Sequence, residues 1–164
     1  KQQPYGAEAL GLMTYSMRQQ AVLFTLTTEF WTTLSPNEQR NPVRLKGLQE
    51  AKAAAAMLTS SALDYLQLSK QFSRDDLVLY GAELAKQLPD LFVHLPATAR
   101  PELLARIEQL AANHSYPQVR SSLSELVPVL MVIQADVDRQ QAQPLRQNSA
   151  PAAHLDLSPP ESAQ

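Results

Sequence analysis

The residues that could do chemistry in this 164-residue chain are few and scattered. Asp90 and His94 are four positions apart, so one face of a helix would carry both, as two ligands of a metal ion would require. A protein zinc site needs three or four ligands, and we find no further ligand near these two in the sequence. A local hydrogen bond or a surface pair is the simpler interpretation, and we predict no metal site.

Two pairs of carboxylates, Asp75-Asp76 and Asp136-x-Asp138, could act as general acid and base if burial raised one pKa. The first pair fits the first turn of a helix, where the helix dipole stabilises acids. The second pair lies near a helix end beside Arg139, and nothing in the sequence indicates that either pair is buried. The chain has no cysteine, and its four glycines are too isolated to build a phosphate-binding loop. We therefore expect no catalytic residue, no cofactor and no enzymatic activity.

The charge balance excludes a typical nucleic-acid-binding protein. Fourteen basic and 16 acidic residues give a net charge of −2, whereas nucleic-acid binding favours a basic stripe. The densest basic segment, residues 40–52, is interrupted by Glu50 and fits a solvated helix face. The longest apolar run, residues 127–133, is far shorter than the roughly 20 residues that a membrane span needs. We expect neither a nucleic-acid partner nor a membrane-spanning segment.

Aromatic side chains are the best candidates for a contact surface. They make up only 6 % of the chain, and several fall within helical patterns. Core packing is the alternative explanation for such residues, but a cluster of them could line a pocket or anchor an interface. The candidates for such an interface or pocket are Tyr15, Phe30, Trp31, Tyr65 and Tyr80.

The amino-acid composition and the helix-start signals predict an all-α fold. Leucine, alanine and glutamine dominate, whereas the β-branched isoleucine occurs only at Ile107 and Ile133. Apolar positions recur at intervals of three and four, and N-cap residues with prolines mark several helix starts, as in Ser35-Pro36-Asn37-Glu38. The sequence predicts an antiparallel bundle of about five helices over residues 1–141. A Pro-rich tail, extended or disordered, follows over residues 142–164.

The predicted helices are separated by short, capped breaks. Thr98 or Arg100 caps one helix, which ends before the break at residues 113–115. Pro89 either ends or kinks its helix, the apolar pattern continues as far as Pro96, and Pro128 kinks the last helix. The other predicted helices cover residues 7–34, 36–40, 43–70, 73–88 and 117–141.

The first of these helices is unusually poor in charge. Glu8, Arg18 and Glu29 are its only charged residues, and most of its polar positions are Thr, Ser or Gln. We infer that it is buried on more than one side or is covered by a partner. Gly47 and Gly81, which lie inside helical patterns, predict close contacts between helices, a kink or the approach of a ligand being the alternative.

The function that these observations favour is a non-catalytic helical-bundle interaction or scaffold domain that binds protein, a homo-oligomer being one option. A small-molecule-binding sensor or regulatory bundle is the alternative, because helix bundles hold ligands between their helices. A third option is an enzyme site assembled from Asp90, His94, Tyr65 and Tyr80. The absence of cysteine does not indicate a compartment. Because the chain starts at Lys1 rather than Met, we expect the mature part of an exported or tethered protein, and we favour a periplasmic or secreted location over a cytoplasmic one.

Overall fold

The protein is an all-α bundle, as the composition predicts. The computed structural model describes residues 6–68 and 70–147, and their side chains as far as residue 140. Five long helices and the single turn α2 account for the elements in this part of the chain. They are α1 (Gly6–Thr33), α2 (Pro36–Gln39), α3 (Pro42–Gln67), α4 (Arg74–Phe92), α5 (Arg100–Asn113) and α6 (Pro117–Gln147).

Three helices begin at side-chain N-caps that can be recognised in the sequence. Before α2, the Ser35 hydroxyl accepts the Glu38 N–H, and the Glu38 carboxylate accepts the Ser35 N–H, which completes a capping box. Asn41 caps α3 by accepting two backbone N–H groups on its side-chain oxygen. The Ser73 hydroxyl accepts the Asp76 N–H at 3.1 Å at the start of α4. These local bonds satisfy donors that a helix start leaves free, so the starts could be predicted from sequence.

The predicted boundaries of the two middle helices are confirmed only in part. Pro89 does not end helix α4, which continues to Phe92, because a proline removes one backbone donor and buried neighbours on both sides hold the helix. Helix α5 begins at Arg100, but its N-cap residue is Ala99, which has no side-chain acceptor, so the predicted caps at Thr98 or Arg100 are wrong. A turn in which the Ala99 N–H bonds to the Pro96 carbonyl at 3.0 Å leads into it.

The last helix is longer than predicted. Helix α6 extends to Gln147, so the first six residues of the predicted tail, 142–147, are helical. Pro144 does not end the helix. The remainder of the predicted tail, residues 148–164, lies outside the described residues.

Helix α4 occupies the centre of the bundle. It packs against α1 on one side and α6 on the other, while α5 packs mainly on α6 and α3 touches α1, α4 and α5. The core between them is mostly leucine, with Leu66, Leu84, Leu123, Ile107 and Phe92 fully buried. Leucine stripes from several helices therefore cover one another, which is the main source of stability in a bundle of this kind.

Two arginines fix α5 against its neighbours. Arg100 is only 1 % exposed, and its guanidinium donates to the Asp138 carboxylate of α6 at 3.0 Å and to a backbone carbonyl. Arg106 donates to the Ser60 hydroxyl of α3 at 2.9 Å and pairs with Asp64. Charge-assisted bonds of this kind set the register of packed helices as well as holding them.

Residues 25–54 form an exposed hairpin made of the end of α1, α2 and the first half of α3. None of these residues is buried. Trp31, Leu34 and Leu48 are half-buried, and Gln39 closes the turn by donating to the Trp31 carbonyl at 3.0 Å. The bundle therefore holds this hairpin through few buried contacts.

Candidate protein-binding face

Helix α1 has two apolar faces on opposite sides. Leu10, Met17, Ala21 and Phe24 are buried against the bundle and fall on one stripe. Six large apolar side chains lie roughly 180° around the helix from that stripe, as follows from about 100° per residue, and are 49 % to 67 % exposed. These six residues form the outer face of α1: Leu12, Tyr15, Val22, Leu23, Leu26 and Phe30.

The hydroxyl side chains of α1 make its surface less polar than its sequence suggests. The Ser16 hydroxyl donates to the Leu12 carbonyl at 2.8 Å, and the Thr27 hydroxyl donates to the Leu23 carbonyl at 2.7 Å. Each hydroxyl proton is thus used within the helix and is not offered to water. Seven side chains bond in this way: Thr14, Ser16, Thr25, Thr27, Thr28, Thr32 and Thr33.

The five aromatic residues singled out from the sequence do not form one cluster. Tyr15 and Phe30 belong to the outer face of α1, exposed by 60 % and 58 %. Trp31 is half-buried in the exposed hairpin, and its carbonyl accepts the bond that closes the turn. Tyr65 and Tyr80 lie together between α3 and α4, with ring centroids 6.5 Å apart. The sequence showed which residues are aromatic but gave no signal that separates these two groups.

Tyr65 and Tyr80 are part of the core. Tyr80 is buried, and its hydroxyl donates to the Ala62 carbonyl at 2.9 Å. Burial raises the pKa of the Tyr80 phenol, and the neighbouring Tyr65 adds to that shift. Phe72 extends the pair, with its ring centroid 5.8 Å from that of Tyr65. A phenol that is buried, bonded and held neutral in this way packs the two helices together.

A groove of about 600 Å³ runs between α1 and α4. Asp90 and His94 both line it, so the prediction that they share one face of a helix is confirmed. Tyr65 and Tyr80 are not among its lining residues, and the four groups proposed for an enzyme site therefore lie in two separate places. Among the described residues, no group of three or more His, Cys, Asp or Glu side chains is arranged to hold a metal ion.

His94 is a titratable group of this groove whose surroundings shift its pKa. Its ring stacks on Phe24, with centroids 5.3 Å apart and 18° between the planes. Burial lowers the pKa of His94, the Lys52 ammonium lowers it further, and the Asp90 carboxylate opposes both. A neutral imidazole on an aromatic ring is therefore the favoured state near neutral pH.

The paired carboxylates of the sequence are ion-pair and capping groups. Asp138 binds the buried Arg100, and Asp136 pairs with Arg139 at 3.0 Å. Asp76 accepts a bond from the Ser73 hydroxyl at the start of α4. The sequence shows Arg139 beside the second pair of carboxylates, but the contact between Asp138 and Arg100 joins residues far apart in the chain.

Comparisons with known proteins give no guide to the role of the outer face of α1. No family model, no curated protein and no solved structure matches this chain. Among the helices of the described residues, none combines the length and the hydropathy that crossing a bilayer requires. The exposed residues of the outer face of α1 are therefore the main indication of function.

Proposed function

We propose that this protein is a non-catalytic interaction domain that binds a protein partner through the outer face of α1. The observation that carries the proposal is the second apolar face of this helix, which lies opposite the buried one. A helix at the edge of a bundle needs one apolar stripe for folding. A second stripe of six large side chains does not contribute to the core of this chain and is explained by a contact outside it.

The size of the outer face supports this proposal. Half-exposed side chains of this kind leave roughly 100 Å² each outside the fold, so the six together offer about 600 Å² of apolar surface. Monomeric proteins rarely expose a larger continuous patch, and each partner in a standard interface contributes about 800 Å². The surface is therefore large enough for the centre of a specific contact.

The chemistry of the outer face favours an amphipathic helix as the partner. Its apolar residues follow the helix axis at intervals of three, four and seven, with the polar Gln19 between Tyr15 and Val22, and a stripe of this kind packs against another helix. Only Glu8, Arg18 and Glu29 carry charge along α1, and its hydroxyl protons are used internally. A partner must therefore match this face with apolar side chains rather than with opposite charge.

Photo-crosslinking from single positions tests the proposal. A benzoylphenylalanine replaces Leu26 on the outer face or, as the control, the similarly exposed Val132 of α6. We expect a protein adduct from position 26, whose yield falls when Leu23→Ser and Phe30→Ser are added, and little adduct from position 132. Equal yields from both positions, or no adduct from position 26 in the cells that produce the protein, would contradict the proposal.

The groove between α1 and α4 supports a second candidate function, the binding of a small molecule. Its volume of about 600 Å³ falls within the range of ligand pockets, roughly 300 to 1,000 Å³. Apolar side chains such as Val93 line it beside the charged Arg18 and Asp90, which suits a small amphiphilic molecule. Val22 and Leu26 of the outer face are also among its lining residues, so the two surfaces adjoin. Native mass spectrometry of the protein from its own source should then show a retained small molecule, and a Thr25→Trp variant that fills the groove should lack it. Protein without such a molecule would remove this candidate.

A further inference from the structure

We propose that the partner of the outer face is a second copy of this chain, with the two α1 helices antiparallel about a two-fold axis. This inference rests on the proposed function, because it names the partner of the same face. Of the amphipathic helices that could bind the outer face, we infer that the bound one is α1 of the second copy. The support comes from the symmetry, the charge pattern and the area of the outer face.

The outer face is compatible with pairing to itself. Positions 12, 15, 19, 22 and 26 follow the alternating intervals of three and four that form a coiled-coil seam, and all of them are apolar except the exposed Gln19. The face extends from Leu12 to Phe30, which is about 27 Å along the helix, and its midpoint lies at the level of Ala21. A two-fold axis at this level places Leu12 beside Phe30 of the second copy and Tyr15 beside its Leu26. Apolar side chains then meet towards both ends of the face, and Gln19 lies near its middle, where one polar residue costs stability but fixes the register.

The few charges of α1 favour the antiparallel arrangement over the parallel one. In a parallel pair, Glu8 and Glu29 would each approach the same residue of the second copy, which repels, whereas Arg18 faces the groove towards α4. In the antiparallel pair, an axis at the level of Ala21 sets Glu8 level with Leu34 and Glu29 level with Met13 of the second copy. The antiparallel arrangement therefore avoids the repulsion between like charges.

The area of the outer face indicates a reversible dimer. Two faces of about 600 Å² each would bury roughly 1,200 Å² in total, which is the lower limit for specific protein interfaces. The dimer is therefore expected to dissociate on dilution instead of being required for folding. Each protomer already has a core of its own, with fully buried residues in α3, α4, α5 and α6.

Sedimentation equilibrium of the full chain over a wide concentration range tests the dimer. We expect the mass to rise from 18.2 kDa towards twice that value. Leu26→Glu should weaken association at least about 30-fold, because it places a charge within the apolar face, opposite Tyr15 of the second copy. Val132→Glu, at an exposed position of α6, should associate like the unaltered protein, and circular dichroism checks that both variants fold. A chain that stays monomeric throughout, or two variants that associate equally, would overturn the proposal.

Cysteine crosslinking tests the orientation, and the absence of native cysteines makes the result easy to interpret. The Leu12→Cys and Phe30→Cys proteins should crosslink when mixed and should crosslink poorly alone. Strong crosslinking of each variant with itself would instead show a parallel pair and would overturn the antiparallel arrangement.

The photo-adduct from position 26 separates failure of this inference from failure of the proposed function. An adduct at twice the mass of the chain supports the second copy as the partner. An adduct with a different protein overturns the second copy and leaves the proposed function in place. No adduct overturns both.

Discussion

Helix α4 buries seven of its 19 residues, whereas α1 buries four of its 28. Both helices are rich in apolar side chains, so hydrophobicity alone does not separate them. The difference is position, because α4 has helices on two sides and α1 has them on one. The comparison teaches that an apolar stripe stabilises this fold only where another element of the chain covers it.

The largest difference between the two helices is expected when one leucine on each is replaced by alanine. Leu88→Ala in α4 should lower the free energy of unfolding by about 3 kcal/mol, since it removes a fully buried side chain and leaves a cavity. Leu26→Ala on the outer face of α1 should change it by less than about 0.5 kcal/mol. Urea unfolding of dilute protein measures both. Similar losses for the two variants would mean that the outer face of α1 is covered within the monomer.

A smaller effect is expected where α4 meets α3 through a hydrogen bond. Tyr80→Phe keeps the buried ring but removes the hydroxyl that donates to the Ala62 carbonyl, so it should cost about 1 kcal/mol. Tyr15→Phe, on the exposed face of α1, is the matched control and should be nearly neutral. The same unfolding measurement applies to both, and an equal cost would show that the bond in α4 contributes nothing specific.

Glycine-to-alanine substitutions sharpen the contrast between covered and open helix surface. Gly47→Ala should raise stability by up to about 1 kcal/mol, because alanine favours the helix and its Cβ would meet no atom within 4 Å. Gly81→Ala gains the same propensity, but its Cβ would lie 3.3 Å from a methyl carbon of Val119, so α4 and α6 must adjust. Thermal unfolding should therefore rank Gly47→Ala above Gly81→Ala, and the reverse order would contradict the assigned packing.

The smallest expected effect is a pH dependence where α1 meets α4. The pKa of His94 is lower in the folded protein than its ordinary value of 6.5, so the unfolded chain takes up the proton first as the pH falls. The contribution of neutral His94 to the free energy of unfolding is therefore complete above the ordinary pKa. It is lost as the pH falls through the lowered pKa. His94→Gln should flatten the dependence of unfolding midpoint on pH in this range. An unchanged slope would show that other groups cause it.

The candidate site was only partly visible in the sequence. The low charge of the first helix predicted that it is covered on more than one side or by a partner, and the structure shows its second face uncovered within the described chain. Of the five aromatics, Tyr15 and Phe30 lie on that face, whereas Tyr65 and Tyr80 form a core contact. Spacing along one helix cannot distinguish a face that packs inside the chain from one that packs outside it.

The two glycines inside helices also show that a local sequence pattern does not indicate which helix surfaces are covered. Gly47 and Gly81 both lie inside helices, and the sequence predicted close helix contacts at both. The prediction holds at Gly81, which faces Val119, and is wrong at Gly47, which is open. The reason is that α3 begins within the exposed hairpin, where no neighbouring helix approaches that position.

The sequence by itself determined the helices, because caps such as Ser35, Asn41 and Ser73 and the intervals between leucines act within a few residues. The tertiary structure decided which faces are covered. It placed α1 mainly against α4 instead of α3, its nearest long neighbour in sequence, and it joined Arg100 to Asp138. Burial depends on packing between helix surfaces that are distant along the chain, and a local sequence pattern does not show which of these surfaces pack together.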